Sequence, residues 1–152
     1  MSTELNNIIL VEDDDGHALL VEKNLRRAGV QNPFLRLNDG QAALDYFFPS
    51  SDTPASVDAH GNTIVLLDIN MPKIDGVEVL RQLKNNPATM TLPVIMLTTT
   101  DDPREIARCY ELGCNVYVTK PVDYGAFVEA VRRLGFFLQI VKLPQVSKDL
   151  SA

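Results

Sequence analysis

Several apolar runs in this 152-residue chain are followed at once by a side chain that could do chemistry. Glu12 and Asp13 follow the first run, and Asp68 follows the third. Thr98 follows the fourth run, and Lys120 comes just after the fifth. If the runs are parallel strands, their carboxyl ends meet at one edge of a sheet, where open α/β proteins place their sites. The spacing therefore predicts three carboxylates, one hydroxyl and one ammonium close together.

Carboxylates at such close quarters repel one another, so a cluster of this kind favours a bound cation. Mg²⁺, or Mn²⁺ in its place, suits the cluster because it prefers oxygen ligands and needs only a few carboxylates. A cation there also neutralises charge on a phosphoryl group in transfer. Asp68 could then attack as a nucleophile and form an acyl phosphate. Lys120 would pair with a phosphoryl oxygen, or with Asp68 beforehand, and Thr98 would donate to another oxygen.

The elements that position these residues are five short apolar runs separated by helical segments. The first, third and fourth runs are continuously apolar, as in strands covered on both faces, and the second alternates like an edge strand. Strands alternating with helices predict a parallel sheet built by right-handed crossovers. The predicted strands are Ile8–Val11, Phe34–Leu37, Ile64–Leu67, Val94–Leu97 and Val116–Val118.

The helices carry start signals of their own. Asp102 followed by Pro103, and Asp75 followed three residues later by Glu78, are typical of helix N-termini. Residues 49–62 are rich in proline, serine and glycine, which predicts a surface loop before the third strand. We expect one domain over residues 1–152, with a core of about 7–138, a tail of 139–152 and no output domain.

Composition excludes several classes of function. The net charge is −6, the estimated pI is about 4.8, and no stretch is rich in lysine or arginine. Nucleic acids and anionic membranes both attract a concentrated basic surface, so neither is expected as a partner. Cys109 and Cys114 are too few for a disulfide framework and favour reduced thiols. Neither a signal peptide nor a membrane-spanning run is visible, which predicts a cytoplasmic location.

Four segments give the chain a resemblance to a known family. They are ILVEDD, LLDINMPKIDG, PVIMLTT and YVTKP, and together they resemble the receiver domain of bacterial two-component response regulators. The resemblance runs from about Asn7 to Leu138. It implies a flavodoxin-like, doubly wound parallel sheet of five strands in the order 2-1-3-4-5. It also implies a signalling switch, not an enzyme, that is phosphorylated by a sensor histidine kinase.

The resemblance implies a role for each site residue. Asp68 is implied as the phosphoacceptor, Thr98 and Tyr117 as the switch pair, and Lys120 as the residue that contacts the phosphoryl group. Phosphorylation would let Tyr117 turn inward and change a surface made by the fourth helix, fifth strand and fifth helix. The remaining implied features are metal ligation by Glu12, Asp13, Asp68 and the Asn70 main-chain carbonyl, and a cis Lys120–Pro121 peptide bond.

The C-terminal region indicates which group of response regulators the chain resembles. The segment FFLQIVKLP, residues 136–144, carries more apolar surface than a solvated chain end normally does. With the long loop before the third strand and LTTT at the switch, the chain looks similar to single-domain response regulators that partner cyanobacterial phytochromes. This similarity implies a phytochrome kinase and a homodimer through the last helix and tail. Folding of the tail onto its own domain is the alternative.

Three other readings of the site conflict with particular residues. A haloacid-dehalogenase-like phosphatase needs an acid two residues after the nucleophile, where this chain has Asn70. A flavodoxin-like electron carrier needs a phosphate-binding loop after the first strand, and acids there would repel FMN. A pseudo-receiver usually lacks the key aspartate or lysine, and this chain retains both Asp68 and Lys120.

Some residues near the motifs have simpler explanations. Of Asp14 and Asp15, one is expected to cap the first helix. His17 is expected to be an ordinary helix or surface residue, and His60 lies in the predicted loop. Tyr117 could be a plain core aromatic, since its switch role depends on the resemblance alone.

Overall fold

The protein is described by a computed structural model, which covers residues 7–49 and 62–141. Five strands and five helices alternate along these residues. The predicted tail beyond residue 141, His60 and most of the predicted loop lie outside them. The elements are β1 (Asn7–Val11), α1 (Asp15–Arg27), β2 (Phe34–Leu37), α2 (Gly40–Phe47), β3 (Thr63–Leu67), α3 (Gly76–Lys84), β4 (Val94–Thr98), α4 (Pro103–Leu112), β5 (Val116–Thr119) and α5 (Tyr124–Ile140).

The five strands form one parallel sheet in the order β2-β1-β3-β4-β5. This confirms the predicted doubly wound fold and places β2 and β5 at the edges. The strand order reverses between β1 and β3, which lie side by side in the sheet. Glu12 follows β1 and Asp68 follows β3, so both residues stand at the point where such folds bind their ligands.

Two apolar cores cover the two faces of the sheet. One joins alternate strand residues to helices α2, α3 and α4, and the other joins the remaining strand residues to α1 and α5. Successive residues of the central strands therefore enter opposite cores, as the period of two along a strand requires. In β3 all five residues are buried. This packing fixes the backbone that leads into Asp68.

An aspartate caps the N-terminus of every helix in the described part of the chain. Each carboxylate accepts a hydrogen bond from a main-chain N–H in the first turn, which satisfies a donor that would otherwise have no partner. Asp14, and not Asp15, caps α1, as expected for one of the two. The five caps are Asp14, Asp39, Asp75, Asp102 and Asp123. Within the same residues, no helix combines the length and apolarity needed to cross a membrane.

Candidate functional site

The acidic residues that follow β1 and β3 come together at the carboxyl edge of the sheet. Glu12, Asp13 and Asp68 each offer one oxygen, and these oxygens all lie within 4.8 Å of one another. Glu12 and Asp68 are buried, whereas Asp13 is more exposed. The structure thus confirms that the three carboxylates form one cluster.

Lys120 reaches the same cluster from the end of β5. Its Nζ donates a hydrogen bond to Glu12 Oε1 and lies 3.6 Å from Asp68 Oδ2, within ion-pair distance. The lysine side chain is only 1% exposed. Its main-chain N–H donates to the carbonyl of Thr98 at 2.6 Å, which ties the β5 end to the end of β4. The predicted contact between Lys120 and Asp68 is therefore present.

Burial dominates the electrostatics of Glu12. It raises the pKa of this carboxyl to about 7, although the hydrogen bond and charge of Lys120 act in the opposite direction. The negative charge of Asp68 adds to the increase. A buried carboxylate remains costly here even with an ammonium beside it. The cluster therefore carries more negative charge than the Lys120 ammonium can neutralise.

A divalent cation fits this deficit. Three carboxylates face one ammonium, and Asp68 Oδ1 is buried without a hydrogen-bond partner among the described residues. A buried oxygen of this kind is costly unless something binds it. Oxygen donors are also the ligands that Mg²⁺ and Mn²⁺ prefer. Glu12, Asp13 and Asp68 are the side chains that would hold the cation, and ligation by the Asn70 carbonyl stays a prediction.

Hydroxyl groups join the connection after β4 to the segment that follows Asp68. Asn70, two residues after Asp68, donates through Nδ2 to Thr99 Oγ1 at 3.2 Å and to Thr100 Oγ1 at 3.1 Å. Thr98 is fully buried at the end of β4. Its predicted role at the site is compatible with this place, and the contacts of Thr99 and Thr100 were not foreseen.

Tyr117 on β5 also contacts the connection after β4. Its hydroxyl donates to the carbonyl of Thr100 at 2.6 Å, and its main-chain N–H donates to the Tyr110 hydroxyl on α4 at 3.0 Å. Burial is the main cause that raises the pKa of Tyr117 to about 12, so the phenol is a neutral donor near pH 7. Tyr117 is therefore linked both to the connection before α4 and to α4 itself, and it is more than a packing aromatic.

The predicted cis Lys120–Pro121 bond is wrong for this structure. All described peptide bonds are trans, including this one. For a bond that precedes proline the two isomers differ by only about 0.5–1 kcal/mol, so tertiary contacts decide between them. Here Lys120 reaches Glu12 and Asp68 from the trans peptide.

Three further residues support the cluster and were not singled out as site residues from the sequence. Arg36 on β2 donates through Nε and Nη2 to the Glu12 carbonyl at 3.0 and 2.8 Å, and through Nη1 to Asp15 at 2.7 Å. His17 Nδ1 lies 3.1 Å from Lys120 Nζ. Gly76 lies so close to Asp68 that a Cβ there would be 1.9 Å from the Asp68 carbonyl oxygen. Gly76 ends the LLDINMPKIDG motif, and His17 lies in the first turn after the acidic run, whereas the Arg36 contact carried no sequence signal.

Comparison with known proteins identifies the same architecture. The sequence model of the response regulator receiver domain matches residues 8–132. The response regulator Rcp1 of Synechocystis is 34% identical over 148 residues, which are 95% of this chain and 99% of that protein. The manganese-bound crystal structure of Rcp1 superposes with a TM-score of 0.79 at 32% identity, covering 91% of this chain and 99% of that one.

Two other solved structures are similar. A response regulator receiver domain from Rhodospirillum rubrum is 50% identical, with a TM-score of 0.85, and the match covers 91% of this chain and 97% of that one. The phosphorylated cyanobacterial phytochrome response regulator RcpA is 28% identical, with a TM-score of 0.79 and coverage of 93% and 99%. The similarity therefore extends over nearly the whole length of each protein.

Proposed function

Because this chain belongs to the response regulator receiver domain family, we propose that it is a phosphorylation switch whose acceptor is Asp68. Membership of the family implies phosphorylation-based signalling with a sensor histidine kinase as partner. One observation carries the choice of residue. Asp68 Oδ1 is buried without a partner among the described residues, beside two further carboxylates and the ammonium of Lys120.

The proposed reaction transfers a phosphoryl group from a kinase phosphohistidine. An oxygen of Asp68 attacks phosphorus, the P–O bond forms, and the P–N bond breaks with its electron pair going to the departing imidazole. A divalent cation held by Glu12, Asp13, Asp68 and the Asn70 carbonyl would neutralise charge on the phosphoryl oxygens. Later attack by water on phosphorus releases inorganic phosphate and restores Asp68. The chain acts as a signalling switch and not as a turnover enzyme.

The proposed response begins with the residues nearest the new phosphoryl group. Lys120 and Thr98 turn toward the phosphoryl oxygens, because a dianion attracts an ammonium and a hydroxyl donor more strongly than a carboxylate does. Movement of Thr98 displaces Thr100, whose carbonyl accepts from the Tyr117 hydroxyl at 2.6 Å. Tyr117 then moves inward and changes the surface formed by α4, β5 and α5.

Phosphorylation by a small-molecule donor tests the acceptor. Acetyl phosphate with Mg²⁺ should convert the wild-type chain to a phosphoprotein, resolved by phosphate-affinity electrophoresis, and Asp68→Asn should give none. Asp45→Asn is the matched control, because Asp45 is an exposed carboxylate on α2 that accepts a hydrogen bond from Gln41, away from the cluster. A chelator should abolish the reaction. Full phosphorylation of Asp68→Asn, or full reaction with chelator present, would contradict the proposal.

The kinase partner is proposed to be a phytochrome. The support is the similarity to RcpA, which is described as a cyanobacterial phytochrome response regulator, over 93% of this chain. Such a kinase would meet the protein in the cytoplasm. Phosphotransfer from each purified histidine kinase of the source genome checks this. The phytochrome kinase should transfer faster than every other kinase, and faster transfer from a kinase of another class would contradict the assignment.

We also propose that the chain forms a homodimer through α5 and the tail. The support is apolar surface at the end of α5, where Phe136, Phe137 and Ile140 are exposed. A groove of about 440 Å³ beside them is lined by Val116, Val118, Ala130, Arg133, Leu134 and Phe137. A face of this kind on one protein suits a second copy of itself.

Light scattering with matched variants tests the dimer. The wild type should have the mass of a dimer, and Phe137→Gln should shift it toward monomer. Leu19→Gln, at an exposed apolar position on α1, should leave the mass unchanged. A monomeric wild type, before and after phosphorylation, would refute this interface.

A further inference from the structure

His17 occupies an unexpected place beside the buried lysine. It lies in the first turn of α1, where its main-chain N–H donates to the Asp14 carboxylate at 3.0 Å. Its Nδ1 is 3.1 Å from Lys120 Nζ. An ammonium has three N–H donors and no acceptor, so His17 Nδ1 must be the acceptor of this hydrogen bond. With Nδ1 as the acceptor, the ring N–H of His17 is on Nε2.

His17 is one of three polar groups around the Lys120 ammonium among the described residues. Glu12 and His17 lie at hydrogen-bond distance, and Asp68 Oδ2 lies 3.6 Å away, at ion-pair distance. Because the lysine side chain is 1% exposed, water has little room to replace a lost acceptor. An ammonium left without one of its acceptors in such a site is costly.

Phe127 on α5 holds both partners in place. The imidazole of His17 packs edge-to-face against its ring, with centroids 5.3 Å apart and an interplanar angle of 87°. The same ring lies 5.9 Å from Lys120 Nζ, within cation–π distance. Phe127 is itself 5% exposed and belongs to the core between the sheet, α1 and α5. The Asp14 cap and the Phe127 ring thus fix the acceptor from two different sides.

We propose that His17 is a positioning residue for Lys120, a role that rests on the proposed phosphorylation of Asp68. Its Nδ1 is an acceptor that takes no part in the reaction. The other two donors of Lys120 can then pass from the carboxylates to the phosphoryl oxygens while the third stays bonded. Without His17, only the carboxylates would hold the ammonium, and Lys120 would be drawn toward its buried pair with Glu12.

Two variants of nearly equal shape separate the acceptor from the packing. The substitution His17→Asn would place an amide oxygen close to the position of Nδ1, whereas His17→Leu offers the same branched shape without an acceptor. We expect His17→Leu to lower the rate of phosphorylation by acetyl phosphate about tenfold, as loss of a hydrogen bond to a charged group implies. The rate in His17→Asn should stay within about threefold of the wild type.

A double-mutant cycle shows whether the effect passes through Lys120. In a Lys120→Met background, His17→Leu should change the rate by less than about twofold, because the donor it serves is gone. A merely structural effect of the leucine would persist in that background. Failure of the wild type to be phosphorylated would refute the function of Asp68, and an unchanged rate in His17→Leu would refute only the role of His17.

Nitrogen-15 NMR of the phosphate-free protein gives a readout that needs no phosphorylation. In the wild type, His17 should have an unprotonated, hydrogen-bonded Nδ1 and a proton on Nε2. The Lys120 ammonium should give a resonance protected from exchange, retained in His17→Asn and lost in His17→Leu. A proton on Nδ1 in the wild type would overturn the inference even if His17→Leu failed to fold.

Discussion

Strands β3 and β5 carry the two halves of the proposed switch under opposite packing conditions. All five residues of β3 are buried between β1 and β4, and Asp68 follows directly. All four residues of β5 are only partly buried, and Tyr117 lies among them at the sheet edge. The chemistry is thus attached to the part of the molecule that packing holds most firmly. The response is attached to a half-buried edge strand, which pairs with β4 on one side only.

Besides the pairing of β5 with β4, Tyr117 makes two separate hydrogen bonds to the region around α4. Tyr117 makes one through its hydroxyl, to Thr100, and one through its main-chain N–H, to Tyr110. Each such bond contributes about 0.5–1.5 kcal/mol net. Differences of this size move a two-state equilibrium substantially, whereas a packed central strand has no alternative of similar energy. A tightly packed acceptor strand and a half-buried reporter strand can therefore belong to one sheet.

The largest difference in stability is expected when one apolar side chain is shortened in β3 and one in β5. Leu66→Ala in β3 empties a fully buried site and should lower the free energy of unfolding by about 2–5 kcal/mol. Val118→Ala in β5 removes half-buried methyl groups and should cost about 1 kcal/mol. Urea titration measures both. Equal losses of unfolding free energy in the two variants would contradict the difference in packing between β3 and β5.

The second largest effect is expected from a methyl group added next to Asp68. In Gly76→Ala the new Cβ would meet the Asp68 carbonyl oxygen at 1.9 Å, so the backbone under the acceptor must move. We expect a loss of about 1–3 kcal/mol in unfolding free energy and slower phosphorylation of Asp68. Gly125→Ala is the control, because its Cβ meets only the tip of Asp123 at 3.4 Å. A phosphorylation rate in Gly76→Ala equal to that of Gly125→Ala would show that the acceptor strand is not rigid.

Removal of the Tyr110 hydroxyl should have a smaller effect on stability. Tyr110→Phe takes away the acceptor of the Tyr117 N–H and should cost about 1 kcal/mol or less, since water can reach this edge. The same change should broaden the Tyr117 ring resonances in NMR spectra, because β5 and α4 are then less tightly joined. Tyr124→Phe, at a 72% exposed position, is the control. Identical Tyr117 spectra in Tyr110→Phe and the wild type would show that the Tyr110 hydroxyl does not help to hold Tyr117.

The smallest effect is expected at the two buried thiols beside β5, those of Cys109 and Cys114. Burial is the main cause that raises the pKa of Cys109 and of Cys114 from the usual 9.0 to about 11. The thiolate is the reactive form, so alkylation should be slow at pH 8 and should accelerate as the pH rises toward 11. The fold prefers the protonated thiols, and the stability they contribute is present below pH 9 and is lost as the pH passes through 11. Fast labelling at pH 8 would mean that the α4–β5 side opens readily.

Sequence reasoning succeeded where local pattern determines the outcome. The apolar runs predicted the strands, and the polar residue after each run predicted the carboxylate cluster and its lysine. It failed on the Lys120–Pro121 bond, which is trans, because the isomers differ too little in energy for local sequence to decide. The contacts of His17 with Lys120 and of Arg36 with the Glu12 carbonyl span 103 and 24 residues. They depend on how α1, α5 and β2 pack, which no short segment specifies.

Chemical trapping of the modified residue tests the central claim most directly. Borohydride reduces an acyl phosphate on an aspartate to an alcohol, which leaves homoserine in the chain. After treatment with acetyl phosphate and Mg²⁺ and then with borohydride, peptide mass spectrometry should find homoserine at position 68 alone. Homoserine at another aspartate, or phosphorylated protein without any reduced residue, would contradict the assignment of Asp68 as the acceptor.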